Sequence, residues 1–176
     1  MLKITRIHSD DKDIGNIRKL YDSSFPDNER VPFLNLLIPE SEERQMYGVY
    51  EKEELIGMYF LYLKDELIYL SYICVSEEKR NLGYGTQILK RICDSANGKR
   101  IVIDIEECRP EDENYTQEVN RRNFYLRNGF QSTGIFYHIY GVDYELLSYG
   151  GTVNREEWHS LIRYHWGKRA DTAIYR

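Results

Sequence analysis

The chain has 176 residues, 41% of them hydrophobic, which is enough for a single domain spanning residues 1–176 and too little for two ordinary ones. Its 29 acidic and 24 basic residues give a net charge of −5, which argues against a nucleic-acid binder and mildly favours cationic ligands. No apolar run is long enough for a signal peptide or a membrane span, and the three scattered cysteines, Cys74, Cys93 and Cys108, suggest neither a disulfide framework nor a zinc site, so the expected setting is the cytoplasm.

Residues 2–7 alternate as a strand. Asp10 or Asp13 then caps a helix whose Ile14, Ile17, Leu20 and Tyr21 form one stripe, and Pro26 ends it. Pro32 opens a second short helix with Phe33, Leu34 and Leu37 apolar and Pro39 as its stop. Strands follow at 45–50 and 55–63, joined by the charged turn Glu51-Lys52-Glu53-Glu54, and a third lies at 67–75. That third strand runs straight into the turn Arg80-Asn81-Leu82-Gly83-Tyr84-Gly85-Thr86 and then a helix. Two glycines there remove the side chains that would keep the backbone from a ligand, so successive N–H groups can point at one anion. The helix dipole adds a partial positive charge and Arg80 a full one.

The helix after the turn carries Ile88, Leu89, Ile92, Cys93 and Ala96 at helical spacing and ends at Asn97-Gly98, a left-handed cap. Residues 101–106 form a buried strand, and the strand-turn-helix-strand order makes it a parallel neighbour of strand 67–75. A loop at 107–117 with Glu111, Asp112 and Glu113 precedes a helix carrying Tyr125. Residues 132–140 and 142–149 read as a hairpin around Gly141, and Gly150-Gly151 breaks it. Asn154 and Glu157 then form a capping box for a last helix, about 154–167, bearing Trp158, Leu161, Ile162 and Trp166. The expected fold is α/β, a mixed sheet flanked by helices. His8 and His138 are isolated, and His159 and His165 are too far apart to share a helix face, so no metal is expected.

A P-loop would need Gly-x-x-x-x-Gly-Lys-Ser/Thr, which is absent, and a dinucleotide turn would need glycine where Ile88 stands. The Arg-x-x-Gly-x-Gly order after a strand and before an amphipathic helix resembles motif A of the GCN5-related N-acetyltransferases (GNAT). Asn120-Arg121-Arg122-Asn123-Phe124-Tyr125-Leu126-Arg127-Asn128-Gly129-Phe130 resembles the later helix of that family, with its Tyr-x-x-x-Gly-Phe ending. Phe25-Pro26-Asp27-Asn28-Glu29-Arg30-Val31-Pro32-Phe33 is similar to a segment of a bacterial subgroup.

The resemblance implies the GNAT acyl-CoA N-acyltransferase fold with an extra C-terminal helix, a cofactor core at about 66–130, acetyl-CoA as co-substrate, no metal, and a small-molecule or peptide amine as acceptor. A homodimer is left open. It implies that Arg80, Asn81, Leu82, Gly83, Tyr84, Gly85 and Thr86 hold the pyrophosphate. Ile73, Cys74 and Val75 would pair with the pantetheine arm and supply an oxyanion donor, and Tyr125 would be the general acid. Glu118 stands where many relatives have a cofactor-contacting Asn, with Asn120 two positions on. The segment 25–38 would form one wall of the acceptor site, where Glu29 or Arg30 contacts the substrate or forms a surface ion pair.

Acyl transfer from a thioester to an amine needs the neutral amine, yet a lysine-like amine is neutral in only roughly one molecule in a thousand at pH 7. Asp104 and Glu106 alternate with Ile103 and Ile105, so both carboxylates face one side of their strand, and either can act as base directly or through water. The same residues also read as a solvated strand end or as partners of Arg100 and Arg121. A non-catalytic acyl-CoA-binding module and a nucleotide-binding protein are the alternative functions.

Overall fold

The structure is a computed structural model that describes residues 2–27 and 29–176; Met1 and Asn28, the latter in the motif at 25–33, lie outside these. The chain divides into two compact units, one running to Leu63 and including Leu70–Arg91, the other made of Lys64–Tyr69 and Ile92–Arg176.

The first unit holds β1 (Leu2–Ile7), α1 (Ile14–Ser24), α2 (Leu34–Leu37), β2 (Arg44–Glu51), nearly all of β3 (Glu54–Lys64), the larger part of β4 (Leu67–Val75) and most of α3 (Tyr84–Asp94). β2 pairs antiparallel with both β1 and β3. The β2–β3 turn is shorter than the expected four residues: only Lys52-Glu53 lie outside the strands, with Lys52 in the left-handed region. Val49 faces Gly57 while Tyr50 faces Leu55, so Ile56 is one residue too many and bulges; its carbonyl accepts the Ser76 N–H at 2.8 Å. Ile17 and Tyr21 of α1 and Ile88 and Leu89 of α3 are fully buried, members of the apolar stripes expected of these helices, and they share the core with Phe60 of β3 and Leu70 of β4. Asp13 does occupy the N-cap of α1, but its side chain makes no capping hydrogen bond. The carboxylate instead accepts the Tyr50 hydroxyl.

The second unit starts with the first residues of β4 and continues through β5 (Arg100–Glu106), α4 (Tyr115–Arg127), β6 (Gln131–Ile139), β7 (Val142–Tyr149), α5 (Arg155–Trp166) and β8 (Ile174–Tyr175). β5 is the parallel neighbour of β4, over the three pairs from Leu67–Arg100 to Tyr69–Val102. β7 pairs antiparallel with both β5 and β6. The β6–β7 turn is Tyr140-Gly141, both at positive φ. Between the pairs Ser132–Leu147 and Phe136–Glu145 β6 carries extra residues, and Thr133 Oγ1 closes that gap by donating to the Leu146 carbonyl at 2.8 Å. α4 begins at Tyr115, so the loop after β5 is shorter than the expected 107–117.

The complete ladder order is β1-β2-β3-β4-β5-β7-β6-β8, a mixed eight-stranded sheet. Strand β8, which the sequence did not announce, pairs with β6 through Tyr137–Tyr175 and His138–Ile174. α5 has the expected capping box: Asn154 accepts from Glu157 N at 2.9 Å and the Glu157 carboxylate accepts from Asn154 N at 3.0 Å. Among the described residues no helix is long and apolar enough to cross a membrane.

Candidate functional site

In the first unit, β4 delivers Ile73, Cys74 and Val75 to a short 3₁₀ turn at Glu77–Lys79, and α3 starts at Tyr84. Asn81 and Gly83 both adopt left-handed backbone, with φ of 62° and 83°, which reverses the chain and leaves Asn81, Leu82 and Gly83 exposed. The turn is held from below. Lys79 pairs with Glu54 at 2.8 Å, the Tyr84 hydroxyl donates to Glu51 at 2.7 Å, and Arg80 Nε donates to the Val75 carbonyl at 3.3 Å. A helix start with free backbone N–H groups, directly after an exposed glycine, has the geometry that can seat an anion. Gly57 on β3 completes this arrangement: a Cβ there would lie 2.7 Å from the Cys74 carbonyl oxygen, so only glycine lets β3 pass this close to the end of β4. The Cys74 thiol is desolvated, which pushes its pKa up and makes it a packed group and a poor nucleophile.

The segment around Glu29 and Arg30 is tied to β4 by Tyr72, whose hydroxyl accepts from Val31 N and donates to the Glu29 carbonyl, both at 3.2 Å. Tyr21, Phe25 and Tyr72 pack ring to ring under it at 5.0–5.4 Å. The Arg30 guanidinium pairs with Asp27 and Asp22, the ion-pair alternative for this residue.

In the second unit the two β5 carboxylates have different fates. Asp104 accepts the Tyr69 hydroxyl on one oxygen at 2.8 Å and the Tyr137 hydroxyl on the other at 2.6 Å. Burial raises its pKa, and the two phenol donors oppose that rise. Glu106, two residues on, faces Arg121 of α4 at 3.4 Å, with its side chain 17% exposed. Arg100 is not a partner of either one, because it makes a bidentate contact with Glu157 at the start of α5. Tyr125 is buried on α4 between the rings of Phe124 and Phe130, at 5.1 and 5.6 Å. Desolvation pushes its phenol well above the ordinary tyrosine range, which keeps it in the protonated, donating form at neutral pH. Asn120 is exposed on the same helix.

Sequence reasoning did not find Tyr69 and Tyr137, two of sixteen tyrosines with no motif around them. It noted Glu118 only as a replacement, whereas the side chain is buried, its carboxyl raised by that burial, and it accepts the Arg109 backbone N–H at 3.4 Å. The buried Glu145 on β7, held by Arg122 at 2.6 and 3.1 Å, was also unmarked.

The order of strands and helices, with a glycine turn between β4 and α3, is that of an acyltransferase-type α/β fold. The chain belongs to the acetyltransferase (GNAT) domain family, whose model matches residues 42–132, just over half of the chain. That span contains the turn, both β5 carboxylates and Tyr125, and leaves α1, α2 and α5 outside. Among solved structures, a putative GNAT acetyltransferase from Bacteroides thetaiotaomicron superposes with a TM-score of 0.75 at 23% identity, covering 94% of this chain and 96% of that one. An acetyltransferase from Bacillus subtilis, solved in complex with CoA, has a TM-score of 0.61 at 16% identity, with 85% and 98% covered. A GNAT acetyltransferase from Elizabethkingia anophelis with acetyl-CoA bound has a TM-score of 0.55 at 21% identity, with 84% and 97% covered. All three share the fold. No curated protein matches the sequence.

Proposed function

We propose that this protein transfers the acetyl group of acetyl-CoA to a primary amine by direct attack in a ternary complex. The observation that carries the reading is the turn at 80–86, whose left-handed Asn81 and exposed Gly83 leave backbone N–H groups at the start of α3 free for a pyrophosphate. The CoA-bound and acetyl-CoA-bound relatives support acetyl-CoA as the carrier. In this reading Arg80 and the backbone of residues 81–86 hold the pyrophosphate, residues 73–75 pair with the pantetheine arm, and Asn120 contacts the cofactor. Glu29 and Arg30 lie on the acceptor wall.

In the chemical step the amine nitrogen attacks the thioester carbonyl carbon, and the oxyanion that develops is met by backbone N–H groups at the end of β4. A proton leaves the nitrogen for a β5 carboxylate, Glu106 or Asp104, or for water held by one. The C–S bond then breaks, and the thiolate takes a proton from Tyr125. Tyr125 suits that task because desolvation keeps its phenol protonated, and among the described residues no partner already holds its hydroxyl.

Calorimetric titration with acetyl-CoA, with CoA, NAD and ATP as controls, tests the reading. Both CoA species should bind, NAD and ATP should not, and Gly83→Glu should abolish binding. Amines are then screened by thiol release. Absence of binding by either CoA species refutes the proposal. CoA binding without thiol release for any amine would identify an acyl-CoA-binding module instead.

A further inference from the structure

Two candidate bases stand on β5, and their surroundings divide the work between them. Direct pairing places residues opposite one another on the same face of a sheet, and alternate residues on a strand share a face. Asp104 lies opposite Leu146, Glu106 opposite Tyr144, and Tyr144 opposite Tyr137. Asp104, Glu106, Tyr144 and Tyr137 therefore share one face of the second unit. On that face α5 sets down its fully buried Trp158, whose ring lies 4.9 Å from Tyr69 and 5.8 Å from Tyr137. Among the described residues the buried indole Nε1 has no hydrogen-bond partner, so Trp158 is held there for its shape.

Both oxygens of Asp104 are already occupied by phenols, and the position of the clamp is informative. Tyr69 is the β4 residue of the pair Tyr69–Val102, at one end of the three-pair β4–β5 ladder, and Asp104 lies two residues beyond Val102. The Tyr69 hydroxyl thus takes over beyond that last pair, while Tyr137 reaches the same carboxylate from β6, across β7. One carboxylate cross-links three strands just before the strand end that carries Glu106.

We propose that Asp104, clamped by Tyr69 and Tyr137 beneath Trp158, is a positioning residue that fixes the end of β5, and that Glu106 is the proton acceptor. This rests on the acetyl-transfer reading above. It makes α5, which lies outside the family-matched span, a support of the catalytic strand. Asp104 keeps its two phenol donors throughout the cycle. Glu106, partly exposed and opposed among the described residues by one long contact from Arg121, is the carboxylate with room to take a proton and release it.

The test compares the pH dependence of kcat/KM with hydrogen exchange. Glu106→Gln should remove the acidic limb of the profile and lower kcat at least a hundredfold. Asp104→Asn should lower kcat about three- to thirtyfold while the acidic limb stays in place. Tyr69→Phe with Tyr137→Phe should leave the acetyl-CoA KM within a factor of two but speed amide exchange of Ile105 and Glu106 at least tenfold, with α3 unchanged; Trp158→Phe should do the same to a smaller extent. An acidic limb lost in Asp104→Asn and kept in Glu106→Gln overturns the assignment, as does unchanged exchange at β5 in the double variant. Failure of the acetyl-transfer reading would show separately, as no thiol release by the parent protein, because exchange needs no turnover.

Discussion

A methyl group added to Gly57 would stand 2.7 Å from the Cys74 carbonyl oxygen and 3.3 Å from Ile88 Cδ1, whereas one added to Gly83 would meet nothing within 4 Å. The first contact is with backbone and with a buried side chain, so neither can retreat cheaply. Gly57→Ala is therefore expected to destabilise the protein by about 1–3 kcal/mol, read by thermal unfolding. Gly83→Ala carries only the left-handed penalty of about 1–2 kcal/mol, but it puts a side chain where a phosphate would approach. It should weaken acetyl-CoA binding at least tenfold by calorimetry. Tyr125→Phe removes a proton donor and nothing else from a ring packed by Phe124 and Phe130. Its kcat should fall about 10²- to 10⁴-fold with acetyl-CoA affinity unchanged; a loss of affinity instead would mark the residue as a packing group.

The helix α5 is a separable device whose start is fixed by chemistry legible in the sequence. Asn154→Ala leaves the Glu157 N–H without its acceptor and should cost about 1 kcal/mol, which lowers Tm by roughly 2–4 °C for a chain of this size. Glu157 also takes the Arg100 guanidinium and the Asn154 N–H, in that order of effect, and both hold its carboxyl below the usual range. A carboxyl lowered on folding contributes stability above its unfolded pKa of about 4.3 and loses it as pH falls through the folded value. The stability gap between the parent protein and Glu157→Gln should thus be widest near neutral pH and close in acid, measured by denaturant melts across pH. A gap independent of pH would show that the ion pair adds nothing to the cap. The strands and helices around the turn were equally legible, because periodicity and glycine placement are local. The β3 bulge at Ile56 and the short strand β8 were not, since each exists only through its pairing partner.

For the whole molecule, a ligand that binds only the folded state stabilises it by RT ln(1 + [L]/Kd), about 2.7 kcal/mol at a hundredfold excess over Kd. Acetyl-CoA should therefore raise Tm by several degrees in a concentration-dependent way, and NAD should leave it fixed. The net charge of −5 gives amines a mild electrostatic preference over anionic acceptors, which the amine screen will show as a rate that falls with salt.

The sequence by itself determined the mixed α/β sheet, the glycine turn at 80–86 and the motif position of Tyr125. Each of these depends on spacing along one stretch of chain: a period of two or 3.6, a glycine needed at positive φ, a capping pair three residues apart. Only the tertiary structure separates the surroundings of the two carboxylates of β5. Asp104 and Glu106 are equivalent as a pattern, but Tyr69 and Tyr137, 35 and 33 residues away, close on Asp104 alone, and Arg121 reaches Glu106 alone. Alternation on a strand tells which way a side chain faces. What it finds there depends on the residues that the other strands and helices bring to that face.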